Sequence, residues 1–295
     1  MRKGNKGEQI ALNIILLLLS IVAIAPFLLL LSSSLTQEST LVKEGYRFFP
    51  KDFSIFSYQY LFQSGGKIIR AYGITIFVTV VGTVGGLLLT VLMAYPLSRR
   101  ELPFRGFLSF FVFFTMLFSG GTVPTYMMWT QTFHIKNTIW ALIIPNLLLN
   151  GFYIIMMRSF FTANIPDALV EAARIDGAGE YLTLFRIVLP LSLPMVLTLT
   201  MMMGLGYWND CVNSLYYVTD ESMFSVQAVL NTIITNIQFL SSGQSSLSSS
   251  VDMSKLPSVG VRMAIAIVGI IPVLLIYPFF QKYFIRGIVV GGVKG

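Results

Sequence analysis

The sequence predicts an all-α integral membrane protein with about six transmembrane helices, folded as one domain over residues 1–295. Hydrophobic residues make up 55% of the chain and charged residues only 11%, about half the charged share of a soluble domain. The mean hydropathy is +0.76, and the apolar residues gather into long runs. This composition cannot cover a water-soluble globule, so it excludes a soluble enzyme, a disordered tail, a collagen-like fibre and a nucleic-acid-binding module.

Six apolar runs are each long enough to cross the hydrocarbon core as a helix, which takes roughly 20 residues. Lipid offers no hydrogen-bond partners to the backbone, so we expect helices, and no run shows the alternation of a barrel strand. The runs contain no Asp, Glu, Lys, Arg or His; they are Ile10–Leu35, Ala71–Ser98, Gly106–Phe133, Asn137–Met157, Ile187–Asn209 and Met263–Gln281.

The distribution of basic residues predicts that both termini are cytoplasmic. With that orientation, twelve Lys and Arg residues fall in short inner segments, and eight are spread over much longer outer loops. The long outer loop, 210–262, contains an apolar stretch of helical period between Phe224 and Ile237, which predicts a surface or re-entrant helix. It continues into the Ser-rich stretch Ser241–Ser250, which is typical of a flexible linker.

The apolar runs lack the side chains that intramembrane chemistry requires. The absence of ionisable groups in them weakens an ion-coupled carrier and argues against an integral membrane enzyme, so we expect no catalytic residue and no metal site. Lys67 follows two glycines, but Ile68 stands where a phosphate-binding loop needs Ser or Thr. If this protein moves solute uphill, ATP must therefore be hydrolysed by another subunit.

The inner segment 158–186 carries the most specific pattern in the chain. Pro166 suits a helix start, Asp167 favours the positive helix end, and Gly177 suits the stop after about three turns. Helical spacing places Asp167, Glu171 and Arg174 on one face. We therefore expect a short cytoplasmic helix between two spans.

This segment resembles the signature loop of the membrane subunits of binding-protein-dependent ABC importers. Glu-Ala-Ala, three residues, Gly, nine residues, Ile, one residue and Leu-Pro follow one another at the family's spacing. The matching residues are Glu171, Ala172, Ala173, Asp176, Gly177 and Ala178 in the loop helix and its end, and Ile187, Leu189 and Pro190 at the next span. The tail 281–295 is similar to that of the six-span maltose-importer subunit. The likeness covers nearly the whole chain and points to the carbohydrate uptake type 1 group, nearest to Gram-positive permeases for complex oligosaccharides.

The resemblance implies a type I importer permease in the bacterial cytoplasmic membrane, which is not itself an enzyme. The loop helix would couple to an ATPase, and this chain would form half of a sugar pathway. The implied partners are a second homologous permease, two ATPase subunits and an extracellular solute-binding protein, which is a lipoprotein if the cell is Gram-positive. No cofactor is expected on this chain, because ATP and Mg belong to the ATPase subunits.

A sugar pathway requires aromatic faces for stacking and amides for the sugar hydroxyls. The candidates are Asn146, Asn150, Tyr153, Tyr207, Trp208 and Asn209. For each of these residues, however, an interfacial aromatic or a polar contact between helices is the favoured explanation. Gly82 and Gly86 form a Gly-x-x-x-Gly pair, which predicts close helix packing. Two other functions stay open, namely a carrier or channel acting alone and an importer permease for a solute other than sugar.

Overall fold

The computed structural model describes residues 6–63, 65–241 and 259–292. Over these ranges the chain is predominantly helical, with one isolated antiparallel bridge between Thr36 and Phe53. Most of the Ser-rich stretch, 242–250, lies outside the described residues. The α-helices are α1 (Lys6–Ser34), α2 (Glu38–Glu44), α3 (Phe56–Gln63), α4 (Gly65–Ser98), α5 (Arg105–Leu117), α6 (Thr122–Met127), α7 (Trp140–Ile143), α8 (Gly151–Asn164), α9 (Asp167–Ile175), α10 (Glu180–Thr183), α11 (Leu189–Leu191), α12 (Leu193–Trp208), α13 (Val212–Tyr217), α14 (Val226–Ser241) and α15 (Val259–Gly292). Short π-helical segments cover Met128–Thr132 and Leu184–Val188, and a 3₁₀ turn covers Glu221–Met223.

Three of these helices are long and apolar enough to cross a membrane unaided. They cover Gly7–Ser34, Gly66–Ser98 and Val259–Pro278 within α1, α4 and α15. Two further pairs of helices qualify if each bent pair counts as one span, which gives up to five in the described part of the chain. The prediction of several apolar membrane helices is therefore confirmed.

Glycine and proline residues explain the bends in the two pairs of helices that can each be counted as one span. The third predicted span divides into α5 and α6 with a bend of 110°. Gly121, at φ +84°, lies in this break, where the left-handed backbone suits glycine. The fifth predicted span bends by 85° at Ser192, between Pro190 and Pro194, which have no backbone N–H for the helix ladder.

The structure differs from the sequence prediction over 137–157, which is not one continuous helix. The four-residue α7 ends at Ile143, and the chain then turns through Pro145 and Asn146, whose φ is +62°. The following helix, α8, starts after Asn150, whose Oδ1 accepts the Phe152 N–H at 2.9 Å. The apolar composition of the run masked this turn. Because α8 continues to Asn164, the inner segment starts about seven residues later than predicted.

The described chain divides into two compact units, which we treat separately. The first comprises Met1–Ile68 and Leu230–Pro272, and the second comprises Ile69–Val229 and Val273–Gly295. The boundaries fall inside α4, α14 and α15. The single domain expected from the sequence stays a prediction.

In the first unit, an acidic side chain fixes the start of α15. The two carboxylate oxygens of Glu38 accept the N–H groups of Val259 and Gly260, each at 2.8 Å. A carboxylate is favourable at this positive helix end. Gly260 permits the close approach of the Glu38 and Ser57 side chains to α15, because a Cβ there would lie 3.1 Å from Glu38 Oε2 and 2.5 Å from Ser57 Oγ.

In the second unit, the core joins α4, α5, α8, α9 and α12. Its most deeply buried members include Ala94, Met157, Val188 and Leu199, none of which has measurable exposure. This core holds the inner segment against the helices before and after it in the sequence.

Close packing along α4 confirms the prediction for the Gly-x-x-x-Gly pair. A Cβ on Gly82 would lie 2.3 Å from the ring of Tyr207, and one on Gly86 would lie 2.9 Å from the carbonyl of Leu148. Both glycines therefore let α4 approach α12 and the turn before α8.

Candidate functional site

The predicted short helix is present as α9, Asp167–Ile175. Pro166 lies just outside it in extended backbone, at φ −61° and ψ 133°, and Asp167 occupies the first turn. The acidic residue near the start and Arg174 in the last turn both complement the helix dipole. The position of α9 follows from these local signals, as the sequence predicts.

Two hydrogen bonds and one glycine end this helix. The Ala178 N–H donates to the Ala173 carbonyl at 2.9 Å, and the Gly177 N–H donates to the Arg174 carbonyl at 3.1 Å. This pair of bonds is a Schellman motif, which requires a left-handed residue after the cap. Gly177, at φ +80°, supplies it, although a Cβ there would meet open space. The Asp-Gly-Ala part of the signature therefore has a local structural role in turning the chain.

The helix α9 has one buried face and one open face. Val170 and Ala173 are each 6% exposed, and Val170 belongs to the core of the second unit. Leu169, Glu171, Ala172 and Ile175 are exposed, and Ile175 reaches 86%. Of the three predicted Glu-Ala-Ala residues, Glu171 and Ala172 are therefore open to a partner, whereas Ala173 packs within its own chain.

Ion pairs link α9 to the end of α4 and to α10. The Arg174 guanidinium donates to Glu101 Oε2 and to Glu180 Oε1, both at 2.8 Å. The other oxygen of Glu180 accepts the Tyr95 hydroxyl at 2.7 Å. Hydrogen bonds from Arg174 to Glu180 and Glu101 raise the pKa of the guanidinium above its ordinary value, so it stays cationic. Asp167 lies at 3.8 Å from Arg99, a looser contact.

A cavity of about 500 Å³ opens beside this network. Tyr95, Arg99, Glu101, Arg174 and Glu180 are among its lining residues. The guanidinium of Arg99 lies 4.7 Å from the centre of the Tyr95 ring, a cation–π distance. The charged residues of this region therefore form one connected group between α4, α9 and α10.

The second half of the signature lies where the inner segment enters the next span. Ile187 lies within the π-helical segment, and Leu189 is the first residue of α11. Both are half-buried, and Leu189 packs against the core. Pro190 is exposed and precedes the bend at Ser192. Asp176 is exposed at the cap of α9, and Ala178 is half-buried.

In the structure, Tyr207 and Trp208 are both buried and pack against other residues of the second unit. Tyr207 is 2% exposed, and its hydroxyl donates to the Ile143 carbonyl at 2.9 Å. Trp208 is 5% exposed, and its ring centre lies 6.1 Å from that of Tyr72. Neither side chain is open to a sugar in this conformation.

The other four candidates differ in their surroundings. Asn150 caps α8, and the half-buried Tyr153 packs against the core. Asn146 and Asn209 are exposed, at the turn before α8 and at the end of α12. Their contact with substrate stays a prediction. Among the described residues, no group of three or more His, Cys, Asp or Glu side chains is placed to hold a metal ion.

The sequence reasoning missed Tyr95, Glu101 and Glu180, which complete the charge network. Glu101 directly follows Arg99 and Arg100 at the end of the second apolar run. A single acidic residue next to two basic ones could have indicated an ion pair at this position. Tyr95 lies inside the apolar run and gave no signal of its own.

Comparison with known proteins identifies the family. The sequence profile of the binding-protein-dependent transport system inner membrane component matches residues 86–290. The chain belongs to this family. The matched range covers α8, α9 and the signature residues, and it extends into α15. The protein is therefore a permease subunit of an ABC importer and a multi-pass membrane protein, of a family that transports rather than catalyses.

Relatives and a solved structure agree over almost the whole length. The chain is 38% identical over 281 residues to the polygalacturonan/rhamnogalacturonan transport system permease protein YtcP of Bacillus subtilis, covering 95% of this chain and 96% of the relative. It is 36% identical over 274 residues to protein LplC of the same organism, covering 93% and 90%. A crystal structure of a bacterial ABC transporter involved in the import of the acidic polysaccharide alginate matches with a TM-score of 0.77 at 27% identity, covering 96% of this chain and 99% of that chain. The all-α permease fold predicted from the sequence is confirmed.

Proposed function

We propose that this permease subunit forms half of the pathway of an ATP-driven importer for oligosaccharides. The relative YtcP is named for polygalacturonan and rhamnogalacturonan, and the structural neighbour imports alginate. Both names denote sugar polymers, which favours a saccharide over other solutes. The other half of the pathway belongs to a second, homologous permease.

The remaining partners follow from the division of labour in such an importer. Two ATPase subunits bind ATP and Mg and supply the energy, and an extracellular solute-binding protein delivers the sugar. It is a lipoprotein if the cell is Gram-positive. Both termini and α9 lie on the cytoplasmic side, because the short segments on that side together carry twelve of the twenty Lys and Arg residues.

The open face of α9 is the coupling surface. Leu169 and Ile175 expose apolar side chains beside Glu171 and Ala172, which is the composition that a docking helix needs. The buried face of α9 and the Arg174 ion pairs fix it to the rest of the second unit. The proposal rests on this observation: α9 has an exposed, partly apolar face on one side, and its other side is fixed to the second unit by burial and ion pairs.

Movement of α9 reaches the spans by two routes. Val170 transmits it through the core, and Arg174 transmits it through Glu101 to the end of α4. ATP can switch the pathway only if the contacts of α9 differ between the two states. We therefore expect α9 and the adjoining end of α4 to move together when the ATPase dimer closes.

The coupling proposal predicts that Glu171→Lys abolishes uptake and association with the ATPase while the chain still inserts. A lysine on the open face reverses the charge presented to the partner, and it leaves Val170 and Ala173 in place. Uptake of labelled uronate and neutral oligosaccharides by cells, together with co-purification of the ATPase, measures the effect.

Glu8→Lys is the matched control, because Glu8 is an exposed acid in the first turn of α1. It should keep both uptake and association. Normal uptake by Glu171→Lys would contradict the coupling role. Solute movement by the reconstituted chain without any ATPase would instead favour a carrier acting alone.

The orientation can be tested with single cysteines after Cys211→Ser removes the one native thiol. Phe49 and Ile175 are both 86% exposed, so each accepts a cysteine readily. A membrane-impermeant maleimide should label Phe49→Cys in intact cells and label Ile175→Cys only after permeabilisation. The reverse pattern would overturn the proposed orientation.

A further inference from the structure

Two arginines from different helices converge on one backbone oxygen in the second unit. The Nε–H of Arg105, at the start of α5, donates to the Leu97 carbonyl at 3.0 Å. The Nε–H of Arg158, within α8, donates to the same oxygen at 3.1 Å. The two Nε atoms are therefore separated by no more than the sum of these distances. The end of α4, the start of α5 and the middle of α8 meet at this point.

No carboxylate neutralises this pair in the described part of the chain. Arg174 is bound by two acids, whereas neither Arg105 nor Arg158 forms an ion pair with any described residue. Both side chains are half-buried, and neither contributes to the buried side-chain nitrogens that lack a hydrogen-bond partner in the described part of the chain. Two neighbouring guanidiniums repel each other, so an anion between their free N–H groups would stabilise the arrangement.

An apolar groove of about 260 Å³ begins at the same residue. The side chain of Leu97 lines it, together with Leu102, Leu108 and Phe111. Leu108 and Phe111 lie on α5, within two turns of Arg105. The site therefore combines a cationic end with an apolar channel along the same helix.

We propose that this site binds one anionic glycerophospholipid, with its phosphate between Arg105 and Arg158 and one acyl chain in the groove. Guanidinium groups suit phosphate because they donate two parallel hydrogen bonds. Basic pockets beside transmembrane helices are suited to anionic headgroups. The groove favours a lipid over a free phosphate, which has no apolar part to bury.

The surroundings fit a membrane interface. Phe104, which precedes Arg105, is 81% exposed, and Phe107 on the first turn of α5 is 68% exposed. Phe side chains beside basic residues are suited to the boundary between the headgroups and the acyl chains. A bound lipid would hold α4, α5 and α8 together close to the residues that anchor α9, without touching its open face.

Native mass spectrometry of the full-length chain, titrated with phosphatidylglycerol or phosphatidylcholine, tests the proposal. We expect the native chain to retain phosphatidylglycerol in preference to phosphatidylcholine. The double variant Arg105→Gln with Arg158→Gln should lose roughly 30-fold in affinity for phosphatidylglycerol, since two cations are removed. Arg100→Gln is the matched control, because that arginine is 85% exposed, and it should bind like the native chain.

A second variant distinguishes lipid binding from simple anion binding. It also keeps the proposal testable if the double arginine variant does not fold. Leu108→Trp fills the groove at a position that is already 41% exposed and leaves both arginines intact. It should weaken phosphatidylglycerol binding while the chain stays folded. Equal binding by the native chain and both variants would overturn the proposal. Full displacement of the lipid by inorganic phosphate alone would also overturn it, because the site would then bind anions without lipid.

Discussion

The signature residues between 171 and 190 and the proposed sugar-contacting residues were predicted in different ways, and the structure treats them differently. In the inner segment, each signature residue has a definite place: Gly177 turns the chain, Ala173 is buried and Glu171 is open. Among the pathway candidates, Tyr207 packs against α4 and Asn150 caps a helix. A motif with fixed spacing restricts the backbone conformation of its residues. A side chain of suitable chemistry, taken alone, does not show whether it binds substrate or packs within the protein.

The largest effect should come from Gly82→Ala, which tests whether Tyr207 is a packing residue. The new Cβ would lie 2.3 Å from the ring of Tyr207, which is 2% exposed and whose hydroxyl is bound to the Ile143 carbonyl. We expect the free energy of unfolding to fall by about 1–3 kcal/mol. Unfolding in mixed micelles with increasing SDS measures it.

Gly85→Ala is the control for this change. Its Cβ would make an ordinary contact at 3.4 Å with Leu148, so the free energy of unfolding should hardly change. Equal loss in both variants would mean that helix propensity, and not the close approach to Tyr207, decides the effect.

Gly177→Ala should have the next largest effect, and it tests the inner segment. The alanine has free space but must adopt the left-handed backbone, which costs about 1–2 kcal/mol. Because the cost falls on the end of α9, we also expect slower uptake. Hydrogen exchange at the Ala178 amide, together with uptake rates, measures the local loss.

Gly179→Ala provides a close comparison, since Gly179 has ordinary backbone at φ −72° and equally open surroundings. It should behave like the native chain. If both variants exchange and transport alike, the left-handed turn is not what the signature glycine supplies.

Tyr207→Phe should have the smallest effect and sharpens the comparison further. It removes only the hydrogen bond to the Ile143 carbonyl, so we expect a loss of about 1 kcal/mol in stability and unchanged sugar affinity of the importer. Tyr216→Phe, at a half-exposed position, should lose nothing. If stability is unchanged and the KM for uptake rises, Tyr207 contacts the substrate and is not only a packing residue.

Much of the fold could be predicted because it depends on local sequence. The apolar composition gives α1, α4 and α15, and capping residues give α9. The break between α7 and α8 was missed because Pro145 and Asn146 lie within a run without charges. Apolar periodicity reports burial and does not report such turns.

Most contacts of the charge network and of the paired arginines could not be predicted, because they join residues that are distant in sequence. Tyr95 and Glu180 are 85 residues apart, and Arg158 lies 61 residues from Leu97. Only packing in the second unit brings these groups together. The sequence therefore predicts where α9 begins and ends, but not what holds it.

The coupling role of α9 can be tested most directly by cross-linking Ile175→Cys, in the Cys211→Ser background, to the ATPase subunit in the assembled importer. We predict a cross-link whose yield differs between the nucleotide-free and ATP-bound states, whereas Phe49→Cys forms none. If Ile175→Cys forms no cross-link in any nucleotide state, while the importer still transports sugar, the open face of α9 is not the coupling surface.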